Sequence, residues 1–245
     1  MLRDPPSAPY LEASHSPARV LARVVAALFV LTMLMGMVDA YVAAPILRGP
    51  LAQIHPHRNL VLLGAVMRLM MSIGVVIIAV AFFPVARRYS DTVAVAYLGF
   101  RVAEGVLLAL GVCVHVILVG LSDSFLNAGR PVSSHFETLQ GSALAFTNAT
   151  YQIAMTMLGV AGTMQCSLLY SARLVPRWIA ALGFAGYLLL FLSGPLDLVG
   201  AIDTMTGLGA FMYVPGGLFE LFFLPAWLFW RGFQMGSVKA AERDT

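Results

Sequence analysis

Charge is what this sequence has least of: 15 Lys and Arg and 12 Asp and Glu among 245 residues, 11% charged against 60% hydrophobic. A soluble domain of this size carries roughly 25% charged residues, so a water-facing globule is excluded. Cysteine is nearly missing as well. Cys113 and Cys166 both fall inside apolar runs and, at the rise of a helix, differ in depth by about 15–20 Å, too far for a disulfide. They read as packing residues. There is no Walker motif, no Gly-rich dinucleotide fingerprint, no Ser elbow and no intramembrane His–Ser pair. His115 is the one histidine within an apolar run, which argues against a haem held by two histidines. No cofactor is expected. Nor is a metal: His55 and His57 in "HPH", with His135 and the aspartates at 39, 123, 197 and 203 placed at span ends, lack ligand spacing.

What is there is apolar sequence in blocks. Six stand out at about 19–42, 60–84, 93–121, 139–172, 178–200 and 207–230, each long enough to cross a bilayer. Lipid cannot satisfy open backbone groups, and blocks this long are helices and not barrel strands. The fold class is therefore all-α, a polytopic bundle of six spans over residues 18–232. Residues 1–17 and 233–245 read as polar tails, and the loops at about 43–59 and 122–138 are too short for a second core.

Orientation follows from basic residues. Arg3, Arg19, Arg23, Arg87, Arg88, Arg173, Arg177, Arg231, Lys239 and Arg243 lie on one side, and Arg48, Arg58 and Arg130 on the other. Both termini are expected to be cytoplasmic, and the net charge of +3 reflects orientation, with no nucleic-acid partner implied. An uncleaved first span is expected, because Pro45 would follow the small-residue "VAA" at 42–44. "NAT" at 148–150 lies inside a span and reads as a chance glycosylation match. "ARRYSDTVAVAYLGF" (86–100) and "ARLVPRWIAALGF" (172–184) form a weak internal echo, the kind left by a duplicated hairpin or by membrane composition alone.

Four charges interrupt the spans. Arg101 and Glu104 lie in "YLGFRVAEGVLLALG", at i and i+3 on one helical face that continues through Tyr97, Leu108, Gly111 and His115. Arg68 lies in "GAVMRLMMS" and Glu220 in "YVPGGLFELFF", behind Pro215-Gly216-Gly217 and ahead of Pro225. Each would cost about 2.5–3.5 kcal/mol at a lipid-facing helix centre. Two arginines and two glutamates at similar depth are therefore expected to form one buried cluster. A row of Asn148, Gln152, Thr156, Gly159 and Thr163 adds a polar face to the fourth span, as interhelical glue or as a pocket wall.

The segments "FFPVARRYS", "YLGFRVAEGVLLALG", "RLVPRWIAALGFAG" and "PGGLFELFF" leading to "WRGF" together resemble a family of bacterial multi-pass membrane proteins catalogued as a domain of unknown function. The resemblance implies a bacterial cytoplasmic membrane and places Arg68, Arg101, Glu104 and Glu220 on recurring charged positions. It implies no activity.

Three functional readings follow. In the first, Arg68, Arg101, Glu104, Asn148, Gln152 and Glu220 form a site that binds or transports a small amphipathic or ionic ligand, or relays protons. In the second, the protein is an intramembrane enzyme on a lipid or isoprenoid, with Glu104 or Glu220 as general acid. In the third, the charges only fix helix packing or support a partner.

Overall fold

The computed structural model describes residues 17–128, 133–204 and 207–234. Every regular element there is helical. The chain runs through α1 (Pro17–Val38), a π-turn (Asp39–Ala43), α2 (Ala44–Arg48), a 3-10 turn (Leu51–Gln53), α3 (Arg58–Arg87), α4 (Asp91–Ala128) and α5 (Ser133–Ser171). It continues through α6 (Arg177–Leu198), a second 3-10 helix (Gly207–Tyr213), α7 (Val214–Leu218), a second π-turn (Phe219–Phe223) and α8 (Leu224–Trp230). Six of these helical runs are long and apolar enough to cross a membrane: Arg19–Arg48, Arg58–Arg87, Asp91–Ala128, Ser134–Ser171, Arg177–Leu198 and Gly209–Trp230. The protein is a multi-pass membrane protein. Residues 1–16 and 235–245, most of the tails expected at 1–17 and 233–245, lie outside the described residues, as does Arg130.

Each helix from α3 to α6 packs on the next, and α1 closes the bundle against α3 and α8. Which face turns inward follows from polarity reversed relative to a soluble helix. On α4, Val95, Val102, Val106, Leu110 and Ile117 are 39–62% exposed, where lipid tails would solvate them. Tyr97, Arg101, Glu104, Leu108, Gly111 and His115, the expected stripe, are all buried. Ser90 caps the start of α4, its hydroxyl accepting the Val93 N–H at 3.3 Å.

Two span ends differ from the hydropathy reading. The first span does not stop near residue 42 but stays helical to Arg48. The segment 122–138, expected as a loop, is helical wherever it is described, because α4 runs on to Ala128 and α5 starts at Ser133. Hydropathy registers contact with lipid, whereas these last turns are held by each other: the Phe125 and Phe136 rings meet edge-on at 5.7 Å. The 43–59 segment docks against the same end. Ser122 donates to the Leu51 carbonyl at 2.7 Å, and the Gln140 amide donates to the Leu47 and Gly49 carbonyls at 2.9 Å each. The basic end is tied down by the Gln234 N–H on the Leu174 carbonyl at 2.9 Å and by Phe233 against Phe82.

The "LGF" echo does not correspond to equivalent packing. Gly99 faces open space, while a Cβ on Gly183 would meet the Phe219 ring at 2.5 Å and the Cys166 Sγ at 2.7 Å.

Candidate functional site

Arg101 and Glu104 lie one turn apart on α4 and pair with each other, Nη1 to Oε2 at 2.9 Å, with side chains 3% and 2% exposed. The (i, i+3) spacing that put them on one face also makes them partners. Arg101 keeps its Nε without a hydrogen-bond partner.

Arg68 does not join them. Its Nη1 donates to Asp39 Oδ2 at 3.1 Å, and its Nε donates to the Leu108 carbonyl at 3.2 Å. The other Asp39 oxygen, Oδ1, meets His115 Nε2 at 2.8 Å, while His115 Nδ1 meets the Gly111 carbonyl at 2.9 Å. Within the single Arg/Glu cluster expected from the sequence, the two arginines thus take different partners: Arg101 pairs with Glu104, and Arg68 joins an Asp39–Arg68–His115 constellation. Asp39, read as a residue at a span end, is 6% exposed within the bundle. The misreading came from the end of the first apolar block. Because the helix continues to Arg48, Asp39 lies about nine residues, or roughly 13 Å, inside it. The sequence carried one usable signal, a carboxylate six residues ahead of a proline in "DAYVAAP".

The arginine reaches its place because α4 offers a glycine. A Cβ on Gly111 would fall 2.5–2.7 Å from the Arg68 guanidinium atoms. On its other side the guanidinium carbon stands 5.8 Å from the centre of the Tyr151 ring, a cation–π distance.

Glu220 makes no direct ion pair with either group, although it stands within electrostatic reach of Arg101 and Glu104. Its Oε1 accepts the Tyr187 hydroxyl at 2.6 Å, and no ion pair reaches it among the described residues. Tyr187 is held by Gly162, whose missing side chain leaves room for the ring. The Pro215-Gly216-Gly217 segment, read as a weak point in the helix, is also a contact: a Cβ on Gly186 would lie 2.6 Å from the Gly216 nitrogen, so the two backbones nearly touch.

Asp39 and Glu220 share an unusual local structure. Each lies in a π-turn, Asp39–Ala43 or Phe219–Phe223, closed by an N–H donating five residues back, Ala44 to Asp39 and Leu224 to Phe219. In both, a proline stands two residues beyond the turn, Pro45 or Pro225. Proline removes a donor and crowds the carbonyl four residues earlier, and widening the turn ahead of it relieves both. The two interrupted spans pack together, α1 against α8 and against the second π-turn.

Between these groups lies a cavity of about 460 Å³. Arg68, Asp39, His115, Arg101, Glu104 and Glu220 all line it, together with Tyr151, Tyr213, Thr147 and Asn148. The rest of its wall is mainly apolar, from Met33, Met37, Met71, Val75, Leu108, Leu144, Met155, Leu158 and Leu190. One face of the first span and one face of α5 look at each other across it. Met37, Tyr41 and Asn148 on those faces are exposed, so the cavity reaches the bundle surface between the two helices. Gln152 is not in the wall but behind it: it donates to the Thr204 hydroxyl and accepts the Tyr213 hydroxyl at 2.9 Å. Thr156, next on that row, donates to the Gln152 carbonyl at 2.9 Å, and Gly194 packs against it. His55, at the far end, pairs with Asp123 at 2.5 Å on the surface. Among the described residues no three His, Cys, Asp or Glu side chains group as a metal site.

These features define a polytopic helical membrane protein with a charged, largely apolar cavity inside the bundle. The family described as a domain of unknown function (DUF4386) matches residues 24–232, and the chain belongs to it. No match to a curated protein or to a solved structure was found.

Proposed function

We propose that the protein binds, or carries across the membrane, a small amphipathic molecule that enters the cavity between the first span and α5. The observation that carries this reading is the cavity itself: about 460 Å³ of space with largely apolar walls, lined also by seven Asp, Glu, Arg and His side chains. Packing alone needs no such space, because a network that only locks helices can close on itself. An apolar chain is suited to the methionine and leucine wall, whose side chains adapt to varied shapes. A polar end group is suited to the arginines and Glu220. Asn148 stands at the mouth, and Gln152 supports the wall through Tyr213 and Thr204.

The test is mass spectrometry of small molecules that co-purify with the protein in a mild neutral detergent, comparing wild type with Glu220→Gln. Loss of about tenfold or more of a bound species from a variant that still melts near the wild-type temperature is the expected result. Wild-type protein that carries nothing would refute the proposal.

Glu220 favours a second reading. A general acid must have its proton free to give, and Glu104 is committed to Arg101 whereas Glu220 is held only by a tyrosine hydroxyl. In that case Glu220→Gln cells would accumulate a lipid or isoprenoid precursor and lack its product. Comparing whole-cell lipid extracts separates catalysis from binding, since a binding protein converts nothing.

A further inference from the structure

We infer that the end group the cavity receives is an oxyanion, a carboxylate or phosphate on an apolar chain, seated against Arg68. This rests on the cavity being a binding site and adds the chemistry of what it holds.

The first argument is the count of unmet hydrogen-bonding groups. Among buried polar atoms without a partner, the cavity-lining residues contribute Arg68 Nη2, Arg101 Nε and Thr147 Oγ1, all able to donate. The single acceptor among them, Glu104 Oε2, stands 2.9 Å from Arg101 Nη1 and is already ion-paired. Unmet donors in an apolar surrounding call for acceptors. Arg68 is 91% buried by its 9% exposure, so its free nitrogen faces little competition from water.

The second argument is the balance of basic and acidic side chains. At one end Asp39 alone faces two basic partners, Arg68 Nη1 at 3.1 Å and His115 Nε2 at 2.8 Å. At the other, Arg101 is matched by Glu104, and Glu220 lines the same space. The Arg68 end is thus the more basic end of the cavity. The groups facing it are Asp39 from the first span, His115 from α4 and Tyr151 from α5.

The third argument is position. Arg68 lies under Tyr151, and Thr147 is one turn from Tyr151 on α5 toward the exposed Asn148. A head group between Arg68 Nη2 and Thr147 Oγ1 leaves its chain free to run along Met33, Met37 and Leu144 toward lipid. An Arg fork meets carboxylate and phosphate oxygens equally well, so the geometry selects the oxyanion and leaves its source to experiment.

The test uses the full chain in a neutral sugar detergent and four probes of one chain length: decanoate, decyl phosphate, decanol and decyltrimethylammonium. Binding is read by isothermal titration and by the shift in melting temperature. Decanoate or decyl phosphate should bind about tenfold or more tightly than decanol or the cation. Arg68→Gln should erase that preference while decanol still binds. Because Arg68→Gln could unfold the bundle, Thr147→Val is the second variant: its hydroxyl has no partner to lose, and it should weaken the anion alone. Preference for decanoate points to a fatty-acid-like ligand, and preference for decyl phosphate to a phosphorylated lipid. Decanol binding as tightly as decanoate would leave the cavity as a binding site and overturn the oxyanion. No binding by any probe to folded protein would overturn both.

Discussion

Asp39 shows how much one side chain can hold in a membrane interior. It accepts from Arg68 through one oxygen and pairs with His115 through the other, so Asp39→Asn removes the charge and sets an NH2 donor against one of these two partners. Breaking one member of a buried ion pair costs about 3–5 kcal/mol, and Asp39→Asn is expected to lose that much in a reversible unfolding titration in mixed micelles. Replacing Asp39, Arg68 and His115 together by Leu, Met and Leu removes the polar groups as well as their partners. A protein in which the charges only hold helices together would keep its stability after that triple change and would lose no ligand. Glycine offers a paired test at the same scale. Gly111→Ala drives a Cβ into the Arg68 guanidinium and should cost about 1–3 kcal/mol, as overpacking does. Gly99→Ala meets nothing within 4 Å and should be neutral or stabilising by up to about 1 kcal/mol, the helix propensity difference. Thermal melts of the two variants beside wild type check both.

At the scale of elements, the two π-turns are the feature that sets the site. Each holds a carboxylate just ahead of a proline, on adjacent spans, and each lines the same cavity. Pro225→Ala restores a backbone donor and removes the crowding at the Leu221 carbonyl, which lets the turn close to an α-helix. Closing it would rotate Glu220 by about 100°, one residue of helical register. The expected result is a melting temperature raised by a few degrees together with less co-purified ligand. An unchanged ligand level would mean the π-turn does not position Glu220. The prolines and the glycine pair were visible in the sequence as a break in the last span. Their consequence was not, because whether a proline kinks a helix or is absorbed by a wide turn depends on neighbours such as Gly186. The same dependence explains α4 and α5. At 38 and 39 residues they are about 57 Å long, well beyond a ~30 Å hydrocarbon core, and their projecting turns are stabilised by one another.

For the whole molecule, an even number of spans together with the arginine bias of the loops predicts that the segments flanking the first and last spans lie on the cytoplasmic side of the membrane. A reporter fused after Thr245 that is active only in the cytoplasm should therefore be active, and one inserted near residue 130 should be silent. Single cysteines at Ser124 and Ser142 should react with a membrane-impermeant maleimide from the outside, because both belong to the end opposite the basic loops. Reaction from the inside would invert the topology without altering the cavity.

The class of molecule, the number of spans, the buried stripe of α4 and the partnership of Arg101 with Glu104 were all determined by the sequence. Each depends on residues close together in the chain: consecutive apolar residues meet lipid, and an (i, i+3) spacing sets a shared face. The tertiary structure decided what joins helix to helix. It gave Arg68 to Asp39 and His115 instead of to a glutamate, left Glu220 with Tyr187, and opened a cavity among them. Such pairings depend on the relative depth and rotation of separate helices. An uncertainty of a few residues at a span end shifts depth by several ångströms, more than the reach that separates one charge partner from another.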